Sequence, residues 1–170
     1  MVQILCTYLL VLAASALHGV QAAPAALAGC STINAAALNI IQTAKTLQTL
    51  PDIPFKLPLT QTTAEQLLKQ DVVTYTNCVS SYLNYNIVLN ENQWGALASW
   101  ESDVGCSSVR SSTLLRRLNA GQDPNTVAGQ ELPTWNKVNG VPMVALIHRR
   151  AAELTLFQTA STKEAHPVCK

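Results

Sequence analysis

Charge is scarce in this chain. Asp, Glu, Lys and Arg together make up only 12% of its 170 residues, and the formal net charge is +1. Without a basic excess, non-specific nucleic-acid binding and electrostatic membrane anchoring are disfavoured. Asn-x-Ser/Thr sequons are absent, so N-linked glycosylation is not expected. Zinc-type CxxC or HxxxH spacing is also missing, and no metal or other cofactor is expected. There is no Gly-rich phosphate loop and no G-x-S-x-G around any serine. Alternating Val/Ile/Thr runs of strand type are lacking, as are internal repeats. What is abundant is apolar residues, at 48% of the chain, which excludes intrinsic disorder.

Part of that apolar content sits at the start. Ile4 to Leu17 is an apolar run too short for a bilayer span, which takes about 20 residues. Val20-Gln21-Ala22 follows, with small residues suited to a cut before Ala23. Residues 1–22 therefore read as a secretory signal peptide, though without a Lys or Arg in its first positions. The expectation is a secreted, extracellular chain of residues 23–170. It has no membrane attachment after cleavage, and it forms a single domain and a monomer. Four cysteines remain outside the signal: Cys30, Cys78, Cys106 and Cys169. An even count in an exported chain points to two disulfides, with three possible pairings.

The body of the chain reads as about six helices, a mainly α fold. Ile33, Ala36, Ala37, Ile40, Ile41, Ala44 and Leu47 form an i, i+3, i+4, i+7 stripe, capped by Ser31 or Thr32. Pro51 and Pro54 end that helix. Thr62 and Glu65 are spaced as a capping box for a long helix running to about Leu83. Asn90 caps a third helix, interrupted or followed by Gly105-Cys106. Ser111 or Ser112 caps a short fourth one, stopped by Gly121. Asp123-Pro124 opens a fifth, disturbed at its end by Pro133. Pro142 opens the last, which carries Met143, Leu146, Ile147, Arg150, Leu154 and Phe157. The helical core thus spans 33–159, followed by a polar tail, 160–170.

Few residues present themselves for chemistry. His148 lies on a helix beside Arg149 and Arg150, and His166 lies in the tail. Neither has the context of a catalytic base. Glu101 and Asp103 stand two apart just before Gly105, where a loop would turn both carboxylates toward one ligand. The plainer reading is a solvated helix end. Trp94, Trp100 and Trp135 can stack on a sugar ring, but at helical spacing beside Leu97 and Leu132 they more often fill a core. Trp100, Glu101 and Asp103 are the candidate glycan-binding set.

The run Ser111-Ser112-Thr113-Leu114-Leu115-Arg116-Arg117-Leu118-Asn119-Ala120-Gly121 closely resembles the "STLLRKLNAG" segment of phage-type lysozymes, glycoside hydrolase family 24. Leu59–Val72 looks like the start of that family's long helix. Leu89–Trp100 looks like its "LNQNQFDALVSF" helix. Gln130–Lys137 and His148–Phe157 look like its "ELLRW" and "RRREAELF" segments. The likeness runs collinearly from Ile33 to Phe157 with one gap, and secreted, disulfide-bearing members of fungal type match best. It implies a lysozyme-like helical lobe. It also implies cleavage of the β-1,4 link between N-acetylmuramic acid and N-acetylglucosamine, with peptidoglycan or a chitooligosaccharide as ligand.

The resemblance also implies an acid that this chain lacks. The family's general acid is a Glu in "FEG" at the end of the first helix, followed by a β-hairpin bearing an Asp and a Thr near "TIGYGH". Along the match of Ile33–Thr46, that Glu falls on Lys45 and the following Gly on Thr46. From Leu47 the chain reaches Leu59 in about a dozen residues, where the family spends some thirty more. Glycoside cleavage needs one protonated carboxyl and a second polar group, and both are missing here. "FNVG" reads Ser102-Asp103-Val104-Gly105, and "PGL" reads Val144-Ala145-Leu146.

The expectation is therefore a helical lobe without its catalytic hairpin lobe, and a protein with no catalytic residue. Two alternatives stand beside it. One is an active muramidase whose transcript carries an exon absent from this sequence. The other is a non-enzymatic secreted protein that binds a glycan or a cell surface. For the disulfides, termini that lie close together would pair Cys30 with Cys169 and tie down the tail. Antiparallel packing of the second and third helices would bring Cys78 to Cys106.

Overall fold

The computed structural model describes residues 33–44 and 60–167. The signal segment 1–22, the helix caps Ser31 and Thr32, Lys45, and the Cys30–Cys169 pairing all lie outside the described residues. Seven α-helices, one 3-10 turn and two short antiparallel strand pairs are present among those described. The fold is mainly α and lysozyme-like.

Helix α1, Ala35–Ala44, begins where the Asn34 side chain accepts a hydrogen bond from the Ala37 amide. Ile33, Ala37 and Ile41 are buried, as the stripe requires. Helix α2, Gln61–Tyr82, is capped by Thr60, whose hydroxyl accepts from the Thr63 amide. The expected capping box of Thr62 and Glu65 is thus corrected: the cap falls two residues earlier, where Thr60 is extended and helical φ/ψ begins at Gln61. Leu68, Val72 and Val79 face inward, while Tyr82 is exposed.

Strand β1, Leu89–Asn90, leads into helix α3, Glu91–Val104. Asn90 and Gln93 form a full capping box there. Helix α3 is the axis of the domain. Every residue from Trp94 to Glu101 on it is buried, and α1, α2 and the last helix pack around it. One position explains how closely α1 approaches. A Cβ built on Gly95 would lie 2.5 Å from the Ala37 Cβ. Only a glycine on α3 lets the two backbones meet there. The Asn34 amide also donates to the Asn92 side chain across the same interface.

Gly105, at φ 78°, ends α3 and turns the chain into α4, Cys106–Ser111. This separate helix is why seven are found where six were expected. Ser112 then caps α5, Thr113–Asn119, and Asp123 caps α6, Pro124–Glu131. The Asp123 carboxyl is held below its ordinary value by hydrogen bonds from the Thr126 hydroxyl and amide. A 3-10 turn, Leu132–Thr134, follows at Pro133. Strands β2, Lys137–Val138, and β3, Val141–Pro142, form a hairpin across Asn139-Gly140. Both turn residues have positive φ, the geometry that Asn-Gly favours. Pro142 therefore closes the hairpin instead of opening a helix. The last helix, α7, runs Val144–Gln158.

The tail is not a loose polar end. Strand β4, Glu164–His166, pairs with β1, and the Lys163 carbonyl accepts from the Glu91 amide. Ala165 and His166 are buried, with the His166 ring stacked on Trp94 at 5.1 Å. Its Nδ1 lies 2.7 Å from the Ile87 carbonyl, and burial holds its pKa below the ordinary histidine value. This ring is a satisfied core residue. No helix among the described residues is long and apolar enough to cross a membrane.

Candidate functional site

Helix α7 brings two arginines against the C-terminal half of α3. Arg150 is 1% exposed and ion-paired to the fully buried Glu153 at 2.8 Å. Arg150 also reaches Asp103 at 2.9 Å. Arg149 pairs with Glu153 at 3.1 Å and with Asp103 at 3.5 Å, and it donates to the Ser99 carbonyl and the Ser102 hydroxyl. The Ser99 hydroxyl donates to Glu153 at 2.7 Å. Burial pushes the Glu153 carboxyl up and the Arg150 guanidinium down, each opposed by the other's charge. Their pairing is what lets both charges sit under the surface. These pairs fix α7 on α3, while the buried Arg150 Nη1 is left without a hydrogen-bond partner among the described residues.

Asp103 is the cluster's outer edge. Its side chain is 26% exposed, on the wall of a surface cavity of about 370 Å³. Val104 on α3, Ser108 on α4, Thr134 and Trp135 after α6, Lys137 and Val138 on the hairpin and Leu146 on α7 complete the lining. Trp135 is half-buried and meets Trp100 edge-on at 5.2 Å, so its ring is held in one orientation from behind. The cavity offers an aromatic ring, an ammonium, hydroxyls, one carboxylate that is already ion-paired and the aliphatic side chains of Val104, Val138 and Leu146. Those groups suit a neutral, hydroxyl-rich ligand. They do not make the two-carboxylate arrangement that glycoside cleavage needs.

The structure separates the three residues expected to act together. Trp100 is fully buried and presents no face to a ligand. Glu101 is 5% exposed, and its carboxylate lies with the Cys78 and Cys106 sulfurs, away from this cavity. Only Asp103 lines the cavity. The physical reason is that α3 stays helical through Val104 at the centre of the domain. Glu101 therefore turns inward, where a loop would have exposed it. Trp135, Thr134 and Lys137 are the lining residues that spacing alone did not assemble; the Asn-Gly turn that places Lys137 was their one local signal. A disulfide joins Cys78 on α2 to Cys106 at the start of α4, with Cα atoms 5.8 Å apart. His148 is exposed on α7.

Comparison with known proteins bears on the family and the fold. The endolysin of Bacillus phage PZA is 35% identical over 112 residues, which is 66% of this chain and 42% of that protein. A second Bacillus phage endolysin, from phage B103, is 38% identical over 59% of this chain and 36% of its own length. The chain thus spans less than half the length of these two relatives. The endolysin of Acyrthosiphon pisum secondary endosymbiont phage 1 is 35% identical over 60% of this chain and 70% of its own. Among solved structures, the muramidase domain of SpmX from Asticaccaulis excentricus superposes with a TM-score of 0.63 at 28% identity. That match covers 76% of this chain and 99% of that domain. A mutant of P22 lysozyme shares the fold at a TM-score of 0.60 and 22% identity, over 75% of this chain and 99% of its own. Residues 17–153 match the family described as phage lysozyme, well over half of the chain, and the protein belongs to that family.

Proposed function

We propose that this chain is a secreted, lysozyme-like protein that holds glycan of the peptidoglycan type without cutting it. The observation that carries this reading is Lys45, the residue directly after the last of α1, in the place of the family's acid. A lysine is a poor proton donor to a glycosidic oxygen unless its pKa falls by several units. The segment from Leu47 to Leu59 is some thirty residues shorter than the stretch in which the family carries the hairpin that supplies the second group. The Trp135 cavity, with its single ion-paired carboxylate, supports binding over catalysis. Trp100 serves as the backing of Trp135, and Asp103 as a hydrogen-bond acceptor at the rim. The signal segment 1–22 directs the chain out of the cell, where it acts as a monomer and without a cofactor.

Tryptophan fluorescence titrated with chitooligosaccharides and soluble peptidoglycan fragments tests the site. Saturable binding is expected, and Trp135→Ala weakens it by roughly tenfold, the contribution of one stacked ring. Equal affinity in the variant would remove the site from this cavity. Five collinear family motifs after one large gap, with the first-helix match of Ile33–Thr46 before it, are also the pattern that a skipped exon leaves. Sequencing of transcripts across codons 45 to 58 separates an active muramidase of that kind from the protein proposed here.

A further inference from the structure

We propose that a second cavity, between the end of α2 and helices α4 and α5, binds a phosphate group through Arg110 and Arg116. The cavity holds about 340 Å³, and it shares no lining residue with the Trp135 cavity. The site is therefore independent of the glycan reading.

The sequence makes this region one-signed. Residues 72–90 and 104–122 supply every lining residue, and they contain three arginines and no Asp or Glu. One of the three, Arg117, is ion-paired to Glu131 at 2.7 Å. Arg110 and Arg116 are exposed and have no carboxylate partner among the described residues. The serines and the amide on the wall are already engaged within the protein. The Ser112 hydroxyl donates to the Val109 carbonyl and accepts from the Leu115 amide. The Ser111 hydroxyl donates to the Ser107 carbonyl at 3.1 Å. The Asn119 side chain donates to the Tyr82 carbonyl and accepts from the Asn84 amide. The two guanidiniums are thus the cavity's uncompensated charges.

The walls are held in place before any ligand arrives. Cys78 and Cys106 are joined one turn before Tyr82 on α2 and one turn before Arg110 on α4, so the disulfide clamps these two helices beside the cavity. The Arg110 guanidinium lies over the Tyr82 ring, 5.7 Å from its centre. Stacking uses one face of the guanidinium plane and leaves its N–H edges for an oxyanion. Asn119 ties the end of α5 to the end of α2 by the same two bonds that satisfy it. Each guanidinium fork can bond two phosphate oxygens in parallel. Two forks offset the roughly two negative charges of a phosphate monoester near neutral pH. A single carboxylate would leave one of them unpaired.

Isothermal titration calorimetry on the full, disulfide-bonded chain tests the site, with glycerol phosphate as the probe in a phosphate-free buffer. Saturable one-to-one binding is expected. Arg110→Gln and Arg116→Gln should each weaken it by about tenfold or more, the loss of one charge-assisted contact. Lys69→Gln removes the same charge from an exposed position on α2 outside the cavity, and should change the affinity by less than about twofold. Both arginines are exposed, so the variants should melt at the Tm of the parent. Poly(glycerol phosphate) separates two sources of the group. Tighter binding per phosphate than the monoester assigns the ligand to a phosphodiester chain; equal or weaker binding assigns it to a free monoester. No binding of glycerol phosphate at millimolar concentration would overturn the proposal. So would arginine variants that behave like Lys69→Gln, or acetate that competes as well as phosphate does.

Discussion

The contact between Gly95 and Ala37 carries the docking of α1, and replacing Gly95 with alanine should damage it. The added Cβ would sit 2.5 Å from the Ala37 Cβ, where carbon atoms need about 3.5–4.0 Å. Neither methyl group has a torsion to rotate away, so α1 must retreat by about 1–1.5 Å. Overpacking of this kind costs about 1–3 kcal/mol. Alanine in a helix interior returns about 0.8–1.0 kcal/mol over glycine. The retreat also stretches the Asn34–Asn92 hydrogen bond and loosens Ile33 and Ile41 in the core. A net loss of about 1–2 kcal/mol is expected, or a Tm lower by roughly 2–8 °C. Ala37→Gly alone should cost about 1 kcal/mol by propensity. In the double variant the two propensity terms cancel and the clash disappears, so its stability should return to near that of the parent. Urea unfolding of the four proteins gives the coupling directly, expected at about 2 kcal/mol. If Gly95→Ala is stabilising and simply additive with Ala37→Gly, α1 does not pack on α3 as described.

Glu153→Ala strands Arg150 beneath the surface without its 2.8 Å partner, and should cost about 3–5 kcal/mol in urea unfolding; a loss below 1 kcal/mol would mean water reaches the pair. Asn90→Ala removes the capping box of α3 and should lower stability by about 1 kcal/mol, read from the urea midpoint. His166 has a folded pKa below 6.5, so between that value and 6.5 the unfolded chain binds more protons. Its contribution therefore rises with pH across that window, levels off above 6.5, and is lost on mild acidification. The difference in Tm between the parent and His166→Gln, measured from pH 5 to 8, should show that slope, and a flat difference would refute it.

Much of the helical lobe was legible because its signals are local. The stripe of Ile33, Ala37 and Ile41, the caps at Asn90, Ser112 and Asp123, and the stop at Gly121 each depend on neighbours a few residues away. What escaped was set by distant packing. The tail at Glu164–His166 has no strand pattern of its own, and it is ordered because β1 offers it an edge and Trp94 a stacking face. The Asn139-Gly140 turn was a readable hairpin signal, but strands of two residues give no alternation to accompany it. The candidate site failed for a related reason. Glu101 and Asp103 are adjacent to a glycine in sequence, yet helical rotation sends one toward the Cys78–Cys106 bond and the other to the Arg149–Arg150 pair. Spacing leaves Trp100 and Trp135 each open to a core or a sugar-platform role, and only the fold assigns Trp100 to the core and Trp135 to the cavity wall.

The proposed function, a member of the phage lysozyme family that holds peptidoglycan without cleaving it, has two halves that one experiment can read. Purified protein incubated with insoluble bacterial peptidoglycan, assayed in one tube for sedimented protein and for new reducing ends, tests both halves together. Saturable co-sedimentation and no reducing ends above a protein-free control are expected. Steady release of reducing ends by the purified chain would contradict it.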